Sequence, residues 1–208
     1  SFPVVVDVPK DITAQVTEYV WPEDVDIRSY PSTPDADVNQ VKKAVDALLA
    51  SRRPVIYSGG GVLLSGAEEE LVELVRFLGY PCTNTLMGLG AFPYDDPLFI
   101  GMLGMHGTYE SNMAMHDADL ILSVGARFDD RITGETSTFA PNATIIHIDI
   151  DPAQIAKNIP TEIPVVGDAK QVLQAMLARL RKAKAKPDAA AIKQWWKIIE
   201  AWQAKNSY

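Results

Sequence analysis

The sequence predicts a doubly wound α/β sandwich, a parallel sheet with helices on both faces. Three observations predict it: short runs that are apolar throughout, amphipathic helical patterns between them, and glycine or aspartate directly after most runs. Strands covered on both faces need no polar alternation, and a parallel pair needs a crossover that is usually a helix.

Taken in order, Pro3 to Val8 (PVVVDV) reads as a buried strand, and about 25 residues rich in Pro, Asp, Ser and Tyr follow it without a sustained period. Asp37 opens a helix with Val38, Val41, Val45, Leu48 and Leu49 on one stripe and Arg52-Arg53 at its C-terminal end, where the dipole favours cations. Val55 to Ser58 is a strand that runs into Gly59-Gly60-Gly61. Ser65 with Glu68 three residues on spells a capping box for a helix carrying Leu71, Leu74, Val75 and Leu78. Pro81 to Thr85 is the next strand. After a glycine-rich connection, Tyr109 to His116 is helical, and Leu120 to Val124 and Thr144 to Ile148 are strands. Ala153 to Asn158 reads as a brief helix, Ile163 to Val166 as a strand and Lys170 to Arg181 as a helix. Beyond Lys182 to Pro187 a last helix, Ala189 to Lys205, carries Ile192, Trp195, Trp196, Ile199 and Trp202. That face either caps the core or docks a neighbouring domain.

The 208 residues fit one generous domain with connecting segments. A first residue Ser1 followed at once by a strand-like run reads as the start of a piece of a longer polypeptide. A formal net charge of -8 leaves no basic stripe, which argues against a nucleic-acid partner. No apolar run of about 18 residues occurs, so no membrane span is expected. The lone Cys82 has no disulfide partner and suits a reducing compartment; three scattered His and one Cys give no metal-ligand spacing.

The polar signals collect after the strands. Beyond the runs stand Gly59-Gly60-Gly61, Leu86-Met87-Gly88, Gly125 through Arg131, Asp149-Ile150 and Gly167-Asp168-Ala169. In an open parallel sheet ligands bind beyond the C-terminal strand ends. Glycine permits close backbone approach to a pyrophosphate, Arg127 or Arg131 supplies a cation, and Asp149 and Asp168 supply acceptors for ribose or adenine. Each piece has a plainer alternative: a tight turn, a helix N-cap, a surface ion-pair cluster. In Gly101 through Thr108, Met102, Met105 and His106 offer soft apolar groups with one polar edge that suit an isoalloxazine ring; the plainer alternative is an ordinary loop whose Met side chains plug the core. His116 and His147 read as structural. Gly59 to Gly66 does not spell G-x-G-x-x-G, so the nicotinamide fingerprint is absent.

Pro3 through Asp11, Thr85 through Gly90, GMLGMHG (Gly101 to Gly107), GARFDDR (Gly125 to Arg131) and Ile145 through Asp151 resemble, in order and spacing, the catalytic subunit of the acetohydroxyacid (acetolactate) synthase family. Tyr19 through Glu23 and the Trp-rich tail look closest to bacterial members. The resemblance implies the six-stranded, Rossmann-like middle domain of a thiamine-diphosphate enzyme that joins two pyruvates, or pyruvate and 2-ketobutyrate, in branched-chain amino acid synthesis. It implies a remnant of a preceding domain's last strand at 1–12, a linker at 13–36, the FAD-binding domain at 37–186 and a helix toward a further domain at 187–208.

The resemblance further implies that FAD contacts fall on Gly59, Gly60, Gly61, Leu86, Met87, Gly88, Met105, His106, Gly107, Ala126, Arg127, Asp129, Arg131, Asp149, Ile150, Asp168 and Ala169. The partners it implies are flanking N- and C-terminal domains, a second catalytic subunit and a regulatory subunit, in the bacterial cytoplasm. Thiamine diphosphate and Mg²⁺ belong to the full-length enzyme. Gly167-Asp168-Ala169 is not the family's GDG motif, and the domain with the activating glutamate is missing. The chain alone is therefore expected to hold no catalytic or metal-binding residue and to be inactive. Residues 1 to about 12, having lost their sheet, are expected to pair with another edge.

Overall fold

The structure, a computed structural model, describes residues 5–21, 36–183 and 186–205. The chain divides into two compact units, Ser1–Ser32 and Thr33–Tyr208. In the first, the described residues are exposed and carry one short helix, α1 (Lys10–Thr13). The strand predicted from Pro3 to Val8 is not formed at its described positions: Val5 is 91% and Val6 78% exposed, and every strand of the sheet comes from the second unit. A strand without a neighbour leaves its backbone groups to water, and the apolar letters alone do not supply one. Pro3, Val4, Pro22 and Glu23 lie outside the described residues.

The second unit runs α2 (Val38–Ala50), β1 (Pro54–Ser58), α3 (Gly60–Ser65), α4 (Glu68–Leu78), β2 (Cys82–Asn84), β3 (Phe99–Met102), α5 (Tyr109–Asp117), β4 (Leu120–Val124), α6 (Asp130–Thr133), β5 (Thr144–Asp149), β6 (Ile163–Val166), α7 (Ala169–Ala183) and α8 (Ala189–Gln203). The six strands are all parallel, in the order β3-β2-β1-β4-β5-β6. Alternate side chains divide between two cores. Ile56, Leu122, Ile146 and Val165 pack under α2, α3, α4 and α7, whereas Val55, Tyr57, Ile121 and Ile145 pack under α5 and α8. The doubly wound arrangement follows because the inner strands β1, β2 and β4 are buried at every position, on both faces, as their unbroken runs require.

Asp37 caps α2, its carboxylate accepting from the amides of Asn39 and Gln40. The predicted capping box is not formed. Gly66, at φ 62°, ends α3, so Ser65 closes one helix instead of opening the next, and Ala67 precedes α4 without a side-chain cap. The acidic first turn of α4, Glu68 to Glu70, suits its dipole instead. The sixth strand, β3, lies in what reads as a glycine-rich connection; Gly101 bends it at φ 91°. The helix predicted at Ala153–Asn158 reduces to a 3-10 turn at Pro152–Gln154, because Ala156 takes a left-handed φ of 55°.

The tail helix belongs to the core. Trp195 is 1% exposed and donates through Nε1 to the Pro54 carbonyl at 3.0 Å, and Trp196 donates to that of Gly79 at 2.8 Å. The boundary expected at residue 187 thus separates, in sequence only, a helix that completes the same hydrophobic body.

Candidate functional site

The order β3-β2-β1-β4-β5-β6 reverses direction between β1 and β4, whose turns leave the sheet side by side; this is the switch point at which such sheets bind ligands. The turn after β1 carries Gly59 to Gly61 and starts α3. The turn after β4 carries Gly125 to Asp129. The amide of Gly59 donates to Val124 at 3.0 Å and that of Gly61 to Gly125 at 2.9 Å. A Cβ at Gly59 would stand 2.3 Å from the Gly125 oxygen, and one at Gly61 would stand 2.7 Å from the Gly125 Cα. Glycine is thus needed at 59 and 61 for contact between the turns. At Gly60 the approach is looser, the Met87 carbonyl oxygen standing 3.2 Å away.

From this centre the predicted residues form a continuous rim. On one side a Cβ at Gly88 would meet the Ser58 carbonyl at 2.6 Å, so the 3-10 turn Leu86–Gly88 after β2 abuts the end of β1. The loop after β3 reaches across to the segment after β4: the Met105 amide donates to the Arg131 carbonyl at 3.0 Å, and Asn112 of α5 brackets Gly104 with two hydrogen bonds. On the other side Gly125 donates to Ile148 at 2.9 Å, and Gly167 to Asp149 at 3.0 Å, which joins the ends of β4, β5 and β6. Met87 and Asp168 follow strands four inter-strand steps apart, about 19 Å at ordinary strand spacing. A ligand that touches both is elongated.

The rim is chemically mixed. Leu86, Met87, Met105 and Ile150 are 68, 74, 68 and 50% exposed, so Met105 is not a plug in the core. His106 is also exposed. Ala126 and Ala169 are buried and contribute backbone alone. Arg127 pairs with Asp129 at 3.1 Å, and Arg131 makes no ion pair among the described residues. Asp168 does cap α7, accepting from the Gln171 amide at 3.1 Å through one oxygen. Asp149 accepts from the Asp151 amide at 2.9 Å; burial raises its pKa above the ordinary value, only partly countered by that bond.

Beneath the rim lies a set of donors that the local sequence pattern does not reveal. Four successive carbonyls of the turn after β4 accept hydrogen bonds from within the protein: Gly125 from the Gly61 amide, Ala126 from Ser123 Oγ at 3.2 Å and His147 Nε2 at 3.0 Å, Arg127 from the Tyr57 hydroxyl at 3.2 Å, and Phe128 from Asn158 Nδ2 at 2.7 Å. His147 is 1% exposed, and burial lowers its pKa from 6.5, so its ring is neutral. A carbonyl only accepts, so the proton sits on Nε2, and Nδ1 is a buried acceptor without a partner among the described residues. The Phe128 ring lies edge-on to His147 at 5.2 Å and against Tyr57 at 5.5 Å. Tyr57, Ser123 and His147 sit inside strands that read as apolar runs, and Asn158 sits in an irregular loop.

Other features stand apart from the rim. A groove of about 660 Å³ between α4 and residues 90–93 contains none of the predicted site residues. Cys82 is fully buried, which pushes its thiol pKa up and makes it a core side chain. Among the described residues no three His, Cys, Asp or Glu side chains gather as a metal site, and no helix is long and apolar enough to cross a membrane.

Fold and rim together define a doubly wound α/β domain of the class whose ligand sites, where present, lie beyond the C-terminal strand ends. Residues 41–176 match the family model of the thiamine pyrophosphate enzyme central domain, and the chain belongs to that family. It is 50% identical over 206 residues to the acetolactate synthase isozyme 3 large subunit of Escherichia coli K12, a match covering 98% of this chain and 36% of the relative. Against the Haemophilus influenzae acetolactate synthase large subunit it is 47% identical over 206 residues, again 98% of this chain and 36% of the relative. A probable acetolactate synthase large subunit of Methanocaldococcus jannaschii matches at 49% over 181 residues, 86% of this chain and 31% of the relative. The chain therefore spans about a third of these curated relatives.

Proposed function

We propose that this chain is the FAD-binding middle domain of an acetolactate synthase catalytic subunit and does not catalyse the condensation by itself. One observation carries the reading: the ends of all six parallel strands meet in a contiguous rim whose backbone amides, arginines, carboxylates and exposed apolar side chains suit a flavin dinucleotide. The amides of Ala126 to Asp129, which have no partner among the described residues, fit an anionic pyrophosphate, with Arg127 and Arg131 as cations. Asp149 and Asp168 fit ribose or adenine donors, and Leu86, Met87, Met105 and Ile150 fit the flat faces of a ring system. FAD, when bound, would contribute no net redox to a carboligation.

Thiamine diphosphate and Mg²⁺ would be held by flanking domains, in a cytoplasmic enzyme that pairs with a second catalytic subunit and a regulatory subunit. The relatives' names support acetolactate synthesis as the activity of the whole enzyme. A second reading is favoured by the same exposed apolar rim: side chains such as Met87 at 74% exposure would be covered by the neighbouring domains, and this domain would serve assembly without holding flavin alone. Equilibrium dialysis with FAD, FMN and NAD separates the two. Saturable FAD binding, tighter than FMN, supports the first; no binding of any of the three supports the second; tight NAD binding without FAD removes both.

A further inference from the structure

We propose that Tyr57, His147 and Asn158 are positioning residues, a brace that holds the turn after β4 with its carbonyls inward and thereby turns its amides and Arg127 toward the cofactor. The inference rests on the FAD reading above and adds the means by which the rim is preset.

The argument is stereochemical. In a planar trans peptide the carbonyl of one residue and the amide of the next point in opposite directions. The carbonyls of Gly125, Ala126, Arg127 and Phe128 are all bonded within the protein. The amides facing away from them are those of Ala126, Arg127, Phe128 and Asp129, and none of these four donates to a partner among the described residues. A surface turn ordinarily leaves both kinds of group to water. Here one kind is satisfied throughout and the other is vacant throughout, which is the pattern of a backbone anion cradle.

The donors that impose it come from separate parts of the chain. Tyr57 lies in β1, His147 in β5 and Asn158 in the loop after β5, separated from their acceptors by 70, 21 and 30 residues. Their convergence on adjacent carbonyls is therefore a product of the tertiary fold. His147 is held edge-on by Phe128, and Tyr57 packs on the same ring, so the turn is gripped through side chain as well as backbone. Each bond costs little to lose alone. Lost, it lets a peptide rotate and withdraws an amide from the cradle.

A matched pair of tyrosines tests this. Tyr57→Phe deletes the hydroxyl on the Arg127 carbonyl; Tyr80→Phe deletes a comparably buried hydroxyl that donates to the Leu48 carbonyl, at the opposite ends of the strands. Both should lower the unfolding midpoint alike, but only Tyr57→Phe should raise the FAD dissociation constant measured by dialysis, by roughly tenfold for one well-placed hydrogen bond. His147→Leu should do the same, and His147→Gln, which restores a side-chain N–H, should recover part of the affinity. Asn158→Ala, at an exposed position where folding is not at risk, should move the constant in the same direction. Unchanged FAD affinity in Tyr57→Phe and Asn158→Ala, or an equal loss in Tyr80→Phe, overturns the brace while leaving the FAD reading intact. No FAD binding by the unaltered chain sinks that reading, and the brace with it.

Discussion

The amide of Gly61 donates to the carbonyl of Gly125 at 2.9 Å, so the turn leaving β1 is tied directly to the turn leaving β4. The contact leaves no room for a side chain on either residue, or on Gly59. Gly59→Ala and Gly61→Ala are expected to lower the unfolding free energy by about 2–4 kcal/mol each, since backbone would have to move. Gly60→Ala should cost less, about 1 kcal/mol or under: its nearest atoms, the Met87 carbonyl oxygen and Cβ, stand at 3.2 and 3.3 Å, so the turn after β2 need give by only a few tenths of an ångström. Urea unfolding of the three variants checks this, and equal losses at all three positions would show that loop contact is not what selects glycine.

Arg127 is 62% exposed and paired only with Asp129, a surface ion pair of the kind that contributes about 0–1 kcal/mol to stability. Arg127→Ala should therefore leave the unfolding midpoint nearly unchanged while weakening FAD binding at least roughly tenfold, with Arg127→Lys intermediate because the guanidinium fork is lost but the charge remains. Isothermal titration with FAD is the measurement. Flavin affinity equal to that of the parent chain removes Arg127 from the contact set.

These two cases also show what was legible in advance. β1 and β4 announce themselves because both faces are buried, so no polar residue interrupts Val55-Ile56-Tyr57 or Leu120-Ile121-Leu122. Their following glycines then mark the rim. β3 escapes notice because it is four residues long, half of them beginning the motif GMLGMHG, and is bent at Gly101. Ser65 and Glu68 have the spacing of a capping box, but Gly66 between them stops α3 first. The brace is invisible for a different reason: hydrogen bonds across 70 or 30 residues leave no local periodicity. A tyrosine in an apolar run reads simply as part of the core.

His147 supplies a pH dependence. Burial depresses its pKa below 6.5, so its contribution to stability is complete above about pH 6.5, the unfolded value, and is lost as pH falls through the folded value. Asp149 has the opposite sign. Its pKa is raised above 3.8, chiefly by burial, so ionising it opposes folding, and that cost is relieved on acidification. Between pH 8 and 5 the unaltered chain should lose stability more steeply than His147→Gln, in which Asp149 still titrates but the imidazole does not. Parallel stability curves from chemical denaturation across that range would contradict a buried neutral imidazole.

Trp195 fills the back core and is T-stacked on Trp202 at 5.7 Å. Trp195→Ala should cost about 3–5 kcal/mol, from lost burial, a cavity and an orphaned Pro54 carbonyl. Thermal unfolding would register it as a large fall in midpoint; a shift of only a degree or two would mean that α8 rests on the body without being part of it.

The bond from Trp195 to Pro54 spans 141 positions, and its acceptor opens the strand at the centre of the sheet. During synthesis that central strand emerges early, yet the Pro54 carbonyl meets its donor only when α8 has left the ribosome. A nascent chain halted short of α8 would expose an aggregation-prone apolar face, and non-local closure of this kind slows folding. The domain is thus obliged to mature late, as a whole.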